Sequence, residues 1–273
     1  MPSITVVTPS YNQAAYLERT ILSVLNQGYP NLEFIIIDGG STDGSVDIIK
    51  HYSSQLAYWE STPDRGQSHA INKGLQRATG DWVCWQNSDD VFYPSAFLLV
   101  AQAVQKSPQL DFIIGDINLI DEADNLIRPY CLVRPTYKSI LAEGMVLSNQ
   151  AAFWKRAIHN EVGWLDESLH YGFDYEWFLR LLKYTNKSYH ISEFLGALRF
   201  HKETKTSLYQ EKFKNEYSTI LEDRKLSTSV KIFYKVRRLV LLLKYGRLDY
   251  VFKGLKFRFV SKFMDNGLLK DLK

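Results

Sequence analysis

The first 90 residues alternate short apolar runs with segments of helical periodicity, and this alternation constrains the fold more than any other feature. Two intervening segments, at 14–27 and 66–78, repeat apolar residues at helical spacing. Solid apolar runs are typical of strands buried on both faces, so the alternation predicts an α/β fold with a parallel sheet covered by helices. The strand-like runs are ITVVT (4–8), LEFIIID (32–38), LAYWES (56–61) and DWVCWQ (81–86).

The composition is that of a globular protein kept in a reducing compartment. Hydrophobic residues make up 45% of the 273 residues and charged residues 23%, which argues against a disordered chain. The two cysteines, Cys84 and Cys131, cannot form a disulfide framework, and Cys84 lies in an apolar run typical of a buried thiol. The amino terminus has no basic segment, and no stretch of about 18 apolar residues occurs. We therefore expect a cytoplasmic protein.

Polar side chains follow each of the four strands predicted in this region. In an open parallel sheet ligands bind outside the carboxyl ends of the strands. A single acid at such a position is usually a helix cap or a turn residue, but four consecutive polar strand ends favour a binding site. These groups are Thr8, Ser10, Tyr11 and Asn12 after the first strand, Asp38 after the second, Asp64 and Arg65 after the third, and Asn87, Asp89 and Asp90 after the fourth.

The adjacent acids Asp89 and Asp90 in the segment NSDD (87–90) favour a metal site. At the end of a buried strand, each carboxylate disfavours ionisation of the other unless a cation lies beside them. Mg²⁺ and Mn²⁺ prefer oxygen ligands and share them with substrate phosphates, so one or two carboxylates suffice. The alternative is that Ser88 or Asp89 caps a helix that begins near Pro94. The segment alone does not separate these two interpretations.

Four segments resemble, in the same order, the motifs of the family-2 inverting glycosyltransferases, which have the GT-A fold. The resemblance extends over about residues 3 to 206, and its motifs are weak singly but specific together. It implies a GT-A domain at 1–206, with a nucleotide-sugar half at about 1–115, an acceptor half at about 116–206, and a Rossmann-like, mostly parallel sheet flanked by helices. The four segments are TPSYN (8–12), IIIDGGSTDGS (35–45), PDRGQSHAINKG (63–74) and NSDD (87–90).

The resemblance also implies which side chains bind the donor nucleotide. Thr8 and Tyr11 would contact or stack on the base, and Asp38 would accept a hydrogen bond from it. Asp64 would serve the same face of the nucleotide, with Arg65 near the diphosphate. A pyrimidine base would suit Tyr11 and Asp38, which favours a UDP- or dTDP-sugar.

The Asp-X-Asp element of the family corresponds to Asn87, Ser88 and Asp89. Asn87 departs from the commoner Asp, so the resemblance implies Asp89 as the main metal ligand, with Asp90 close by. Asn87 and Ser88 would then contact the donor, Asn87 at the ribose. In related enzymes a His in the position of His201 completes the metal site, although a lone His after a strand is otherwise an ordinary surface residue. The expected cofactor is Mn²⁺ or Mg²⁺.

A predicted helix with acids in its first turn carries the expected catalytic base. In GFDYEWFLRLL (172–182), helix-dipole complementarity by itself would explain Asp174 and Glu176. The family places its base in such an element, and Asp174 matches that position. An inverting transfer requires one general base, which takes the proton of the acceptor hydroxyl as that oxygen attacks the sugar.

The acceptor side is expected at three polar residues of the second half. Asn149 and Gln150 resemble the family's acceptor segment, where amide groups would bind sugar hydroxyls, and Glu176 would lie beside them. The alternative for Asn149 and Gln150 is a polar lead into a strand. The implied acceptor is a glycan or a lipid-linked sugar.

The region 207–273 is expected to be helical, amphipathic and basic. Residues 225–273 contain 13 Lys or Arg and 3 Asp, a local charge of +10, so the remainder of this +3 chain carries −7. A basic amphipathic helix suits an anionic membrane surface, here the inner face of the cell membrane. The alternative is a helical hairpin that packs its apolar face on the main domain. Nucleic acid is not expected as a partner, since no binding motif accompanies the charge.

Two other functions compete with sugar transfer. Nucleotidyl transfer onto sugar phosphates also uses metal-bound acids, but it typically needs a Gly-rich basic loop near the amino terminus, which VVTPSYNQ lacks. The second is a non-catalytic, membrane-associated partner protein that retains the fold and binds the nucleotide sugar. Loss of Asp89 or Asp174 would favour that second function, and both residues are present.

Overall fold

The computed structural model describes residues 1–202, 204–222 and 224–252. Within these residues, the strands form one nine-stranded sheet with helices packed against it. The strands are β1 (Ile4–Ser10), β2 (Leu32–Asp38), β3 (Tyr58–Ser61), β4 (Trp82–Trp85), β5 (Val91–Phe92), β6 (Phe112–Ile120), β7 (Leu126–Tyr130), β8 (Ala152–Lys155) and β9 (Ser188–Arg199). The helices are α1 (Ala14–Leu25), α2 (Ser45–Tyr52), α3 (Gln67–Arg77), α4 (Ala96–Lys106), α5 (Tyr137–Glu143), α6 (His159–Val162), α7 (Phe173–Tyr184), α8 (Lys205–Leu208), α9 (Gln210–Ile220) and α10 (Thr228–Lys244).

The first half of the sheet is parallel, as its apolar runs predict. The strand order is β3-β2-β1-β4-β8-β6-β9-β5, with β7 paired to β6. In the register of β1, β2 and β3, Ser10 lies opposite Asp38 and Asp38 lies opposite Ser61. The carboxyl ends of these strands therefore meet at one edge of the sheet. The predicted α/β fold, a sheet flanked by helices with a helical C-terminal part, is confirmed.

The second half adds antiparallel pairs that the alternation of the first half does not predict. Strand β8 runs antiparallel between β4 and β6, and the two-residue β5 pairs antiparallel with β9. The pairing of Val91 with Ala197 brings the segment NSDD next to the end of the much longer β9. Residues more than 100 positions apart in the chain thereby become neighbours at the sheet edge.

An aromatic core fixes α7 against the centre of the sheet. Trp85 at the end of β4 contacts Trp154 of β8, with 5.3 Å between ring centroids. Trp177 and Phe178 of α7 lie 4.6 Å from Trp154 and 5.7 Å from Trp85, respectively. Since large buried aromatic side chains contribute several kcal/mol each, on the order of 3–5 when truncated, these rings hold the first turn of α7 at the carboxyl end of β4.

The described part of the C-terminal region is helical and packs on the domain. Tyr217 of α9 contacts Tyr175 of α7, with 4.8 Å between ring centroids. Gly172, directly before α7, has no room for a side chain, because a Cβ there would lie 2.9 Å from Ile220. Helix α10 packs against α5 through Arg238 and Glu143. Residues 253–273, the last part of the predicted basic region, lie outside the described residues.

Candidate active site

A cavity of about 860 Å³ opens at the carboxyl ends of the central strands. Its walls come from the loops after β1, β2, β3 and β4, from the first turn of α7, and from α8 and α9. Nine of the residues predicted from the sequence line this cleft, so residues from five separate segments converge on one space. They are Tyr11, Asp64, Asn87, Ser88, Asp89, Asp90, Asn149, Gln150 and Asp174.

Five predicted residues do not line the cleft: His201, which contacts the cleft residue Asp89, and four others. Thr8 is fully buried within β1. Arg65 is largely exposed and forms an ion pair with Glu167. The carboxylate of Glu176 accepts hydrogen bonds at 2.7 and 2.9 Å from Nε of Arg180, so it forms a largely buried ion pair within α7, outside the cleft.

Asp38, the fourth, is bonded to the loop after β2 and to β3. Its Oδ2 accepts hydrogen bonds from the N–H groups of Gly40 at 3.0 Å and Ser41 at 2.8 Å, and from the hydroxyl of Ser61 at 2.7 Å. Its other oxygen accepts from the Ser41 hydroxyl at 2.5 Å. A fully buried carboxylate with this set of donors is satisfied within the protein. The sequence pattern could not separate this structural function from nucleotide binding.

Tyr11, Gly39 and Asp64 form a shallow cradle on one wall of the cleft. A Cβ on Gly39 would lie 2.8 Å from Asp64 Oδ2 and 3.3 Å from the Tyr11 ring, so only glycine allows both side chains to approach the backbone here. Tyr11 is 63% exposed, which leaves its ring open to a planar group. Oδ1 of Asp64 accepts a hydrogen bond from the Gly66 N–H at 2.7 Å.

Asp89 lines the cleft and lies beside the buried side chain of His201. Nε2 of His201 is 3.0 Å from Oδ2 of Asp89, and the His201 ring packs on Tyr16 with 4.6 Å between centroids. Within the described ranges no group of three His, Cys, Asp or Glu side chains is arranged to hold a metal. One carboxylate and one imidazole still fit Mn²⁺ or Mg²⁺ whose other ligands are substrate phosphate oxygens.

Asp90 lies in a buried hydrogen-bond network behind Asp89. Its Oδ2 accepts from Nε2 of Gln150 at 2.6 Å and from Nδ2 of Asn87 at 3.0 Å, and its Oδ1 accepts from the backbone N–H of Arg199 at 2.9 Å. Burial, and then the neighbouring charge of Asp89, raises the pKa of Asp90 well above its ordinary value. The network gives Asp90 a part in fixing Asn87 and Gln150, so the predicted metal contact rests on Asp89.

Asp174 is half-buried in the first turn of α7 and faces the cleft. Burial raises the pKa of its carboxyl to about 6, although a hydrogen bond from the Tyr175 N–H at 2.7 Å opposes the shift. A carboxylate with this pKa is an effective base near neutral pH. Because the Trp85 and Trp154 rings hold α7, they also fix the position of the Asp174 carboxylate at the cleft.

A match to a family model shows which family this chain belongs to. The model for glycosyl transferase family 2 matches residues 5–163, which is more than half of the chain. The chain belongs to glycosyltransferase family 2. An uncharacterized glycosyltransferase of Mycobacterium tuberculosis, MT1564, is 32% identical over 184 residues, which cover 66% of this chain and 68% of the relative. TuaG of Bacillus subtilis, named for teichuronic acid biosynthesis, is 43% identical over 94 residues, 33% of this chain and 36% of TuaG.

Two solved structures share the fold of this glycosyltransferase. Staphylococcus aureus TarS (residues 1–349), in complex with UDP-GlcNAc, superimposes with a TM-score of 0.67 at 18% identity and covers 84% of this chain and 69% of that structure. The mannosyltransferase PcManGT of Pyrobaculum calidifontis, in complex with GDP-Man and Mn²⁺, gives a TM-score of 0.64 at 17% identity, covering 86% and 69%. The GT-A fold expected from the four motifs is therefore confirmed.

Two residues that line the cleft of this glycosyltransferase, Gln67 and Lys205, were not predicted from the sequence. Nζ of Lys205 donates to Oε1 of Gln67 at 2.9 Å, and Nε2 of Gln67 donates to Oδ1 of Asn87 at 2.9 Å. The charge of Lys205 also interacts with Asp64, Asp89 and Asp174. Lys205 supplies a positive charge to the lining of the cleft, and a lysine ammonium is a common contact for a diphosphate. The only sequence signal for Lys205 was its position four residues after His201.

Glu216 of α9 holds the loop that precedes Asp174. Its carboxylate accepts hydrogen bonds from three consecutive backbone N–H groups: His170 at 3.1 Å, Tyr171 at 2.8 Å and Gly172 at 2.7 Å. These N–H groups lie at the start of α7, where a negative charge is favoured by the helix dipole. Because Glu216 lies beyond the last motif, no pattern in the sequence indicated its position in the site.

Replacing Glu216 with Gln is expected to lower the turnover of this glycosyltransferase about tenfold, the effect of losing one hydrogen bond to a charged group. The negative charge of Glu216 raises the pKa of Asp174, so its removal should also shift the acid limb of the pH–rate profile to lower pH. A purely structural effect would leave that limb in place. Glu211→Gln, on the same helix and exposed, is the matched control and should match wild type in both measurements.

Proposed function

We propose that this glycosyltransferase moves a sugar, with inversion, from a nucleotide-diphosphate donor to a hydroxyl of a glycan or lipid-linked acceptor. The observation that carries the proposal is that Asp89 and Asp174 face the same cleft, one beside an imidazole and the other with a raised pKa. The cradle of Tyr11, Gly39 and Asp64 in the same cleft supports a nucleotide there.

Residues of the donor half of the cleft would bind the nucleotide. The exposed ring of Tyr11 would stack on the base, and Oδ2 of Asp64 would accept a hydrogen bond from a base N–H, the function that the sequence had assigned to Asp38. A pyrimidine fits this cradle, so a UDP- or dTDP-sugar is the favoured donor. Lys205 would contact the diphosphate directly.

Asp89 and His201 would hold Mn²⁺ or Mg²⁺. When bound, the metal ion neutralises charge on the diphosphate that departs from the sugar. Two observations support this site: the carboxylate and imidazole are adjacent, and PcManGT, a mannosyltransferase of the same fold, binds Mn²⁺ together with GDP-Man. Asn87, held by Gln67 and Asp90, would contact the ribose.

Asp174 would act as the general base. Its carboxylate takes the proton from the acceptor hydroxyl, whose oxygen forms a bond to the anomeric carbon of the donor. The bond from that carbon to the diphosphate oxygen breaks on the opposite face of the sugar, so the configuration inverts and the nucleoside diphosphate leaves with the bonding electron pair. One base suffices for this single displacement.

The acceptor would enter along the wall that carries Asn149. Nδ2 of Asn149 is buried and has no hydrogen-bond partner among the described residues, which supports its use for a sugar hydroxyl. Tyr209 and Phe213 pack against Tyr171 in the lining of the cleft, and these rings offer faces for a pyranose. Similarity to TuaG supports a cell-envelope polysaccharide as the product, and region 225–273 would keep the enzyme at an anionic membrane surface on the inner face of the cell membrane.

The proposal is tested by nucleoside diphosphate release from a panel of UDP-, dTDP-, GDP- and ADP-sugars with Mn²⁺, with Mg²⁺ or with a chelator. We expect release from a pyrimidine donor in the presence of a divalent ion and almost none with the chelator. Absence of release from every donor, combined with tight nucleotide-sugar binding, would support the non-catalytic partner protein instead.

The pH dependence of the rate in the same assay tests the ionisation of Asp174. Because the base must be ionised and its pKa is about 6, the rate should be constant above about pH 7 and fall as pH decreases through 6. Below that pKa, each further pH unit should cost about tenfold in rate. A rate that stays constant to pH 5 would contradict the assignment of Asp174.

A further inference from the structure

Helix α10 has one apolar face packed on the domain. Leu242 is buried against Cys131 and Val133, with Leu241 and Tyr245 beside it. The same side is fixed by Arg238, which forms an ion pair with Glu143 at 3.6 Å. Directly after the helix, Arg247 donates to the buried carboxylate of Asp116 at 2.8 Å. The orientation of α10 on the domain is therefore defined.

A second apolar face of α10 points to solvent. Its large side chains recur at positions i, i+1, i+4, i+7, i+8 and i+11, which places them in one continuous stripe along a helix. Their exposed fractions lie between 42% and 61%. Monomeric proteins rarely expose an apolar patch of this length without a partner. This outer stripe consists of Ile232, Phe233, Val236, Leu239, Val240 and Leu243.

Basic side chains border the outer stripe on both sides. At about 100° per residue, the exposed Lys235 lies at one edge of the stripe, and the exposed Lys244 lies at the other. The helix contains five Lys or Arg and no Asp or Glu. A second copy of this chain would bring two basic borders together, whereas an anionic surface would satisfy both the charge and the apolar stripe.

We propose that the outer stripe of α10 lies in the interface of an anionic membrane, parallel to its plane. The six apolar side chains would enter the acyl boundary, and Lys235 and Lys244 would meet lipid phosphates. None of the helices in the described residues is long and apolar enough to span a bilayer. The inference rests on the proposed membrane location of the enzyme and is independent of the reaction chemistry.

The test measures binding of the full-length chain to sedimenting vesicles, made either of phosphatidylcholine alone or of equal parts phosphatidylcholine and phosphatidylglycerol. Wild type should bind the anionic vesicles and bind the neutral ones much more weakly. The double variant Phe233→Gln and Val240→Gln should bind the anionic vesicles about a hundredfold more weakly, since two buried apolar side chains are lost. Glutamine is a good helix former, so α10 should remain intact.

The matched control is the double variant Leu126→Gln and Ile127→Gln on β7, which removes two equally exposed apolar side chains. It should bind vesicles like wild type, and both variants should keep the thermal unfolding midpoint and donor hydrolysis of wild type. If the stripe variant binds anionic vesicles like wild type, the stripe is not the membrane face. If wild type binds no vesicles, the membrane location itself is wrong. If light scattering then shows a dimer that the stripe variant abolishes, the stripe is the contact with a second copy of the chain.

Discussion

The variant Asp174→Asn is expected to lose sugar transfer by about 10²- to 10⁴-fold, the usual contribution of a general base. Asparagine keeps the size of the side chain and cannot take the acceptor proton. Because the ionised carboxylate of Asp174 is disfavoured by burial, the substitution should not lower the thermal unfolding midpoint. Initial rates of transfer, together with nucleotide binding by calorimetry, measure the effect. Nucleotide affinity should be unchanged.

Glu176→Gln is the matched control for Asp174→Asn. It removes a carboxylate from the same first turn of α7, so its effect on the helix dipole is similar. Glu176 is paired with Arg180 outside the cleft, and its replacement should therefore leave turnover within a few-fold of wild type. Equal rates for wild type and Asp174→Asn would reject the base, and a large loss in Glu176→Gln would show that both acids act in the site.

The variant Asp89→Asn is expected to abolish the metal dependence of nucleotide binding. Wild type should bind UDP at least about tenfold more tightly with Mn²⁺ than with a chelator, whereas the variant should bind equally weakly in both, because its amide is a poor ligand for a hard cation. Isothermal titration calorimetry with and without the metal separates this effect from a general loss of affinity.

Asp47→Asn is the control for Asp89→Asn. Its carboxylate is 85% exposed on α2, so the substitution removes the same charge far from the cleft. This variant should keep the full response to Mn²⁺. If Asp89→Asn keeps that response as well, the metal ligand lies elsewhere, and the contact between Asp89 and His201 is only a structural hydrogen bond.

Local sequence patterns were sufficient for the parallel half of the sheet and for many of the residues that line the cleft. Strand ends of a parallel sheet meet at one edge, so Tyr11, Asp64 and Asp89 could be assigned to one rim before any contact was known. The same reasoning placed Asp38 and Arg65 at the rim, but it could not tell whether a polar side chain there faces a ligand or its own loop. That depends on side-chain direction, as the hydrogen bonds of Asp38 show.

Cleft residues that lie far from the motifs in the sequence could not be predicted from local patterns. Glu216 is 42 residues after Asp174 in the numbering and lies in no motif, yet its carboxylate binds the loop before α7. Lys205 and Gln67 form a pair through a contact between segments more than 130 residues apart. Contacts of this kind arise from the packing of α8 and α9, which periodicity predicts only as helices.

By itself the sequence determined the strand and helix alternation of the first half, the edge of the sheet at which the cleft opens, and the acids available there, since these follow from local periodicity and the geometry of parallel strands. Only the tertiary structure decided which acids face the cleft, that Asp90 is enclosed while Asp89 contacts His201, and that α10 packs one apolar face and exposes another. The physical reason is that burial and side-chain direction are set by contacts between distant segments, and a linear pattern contains no information on those contacts.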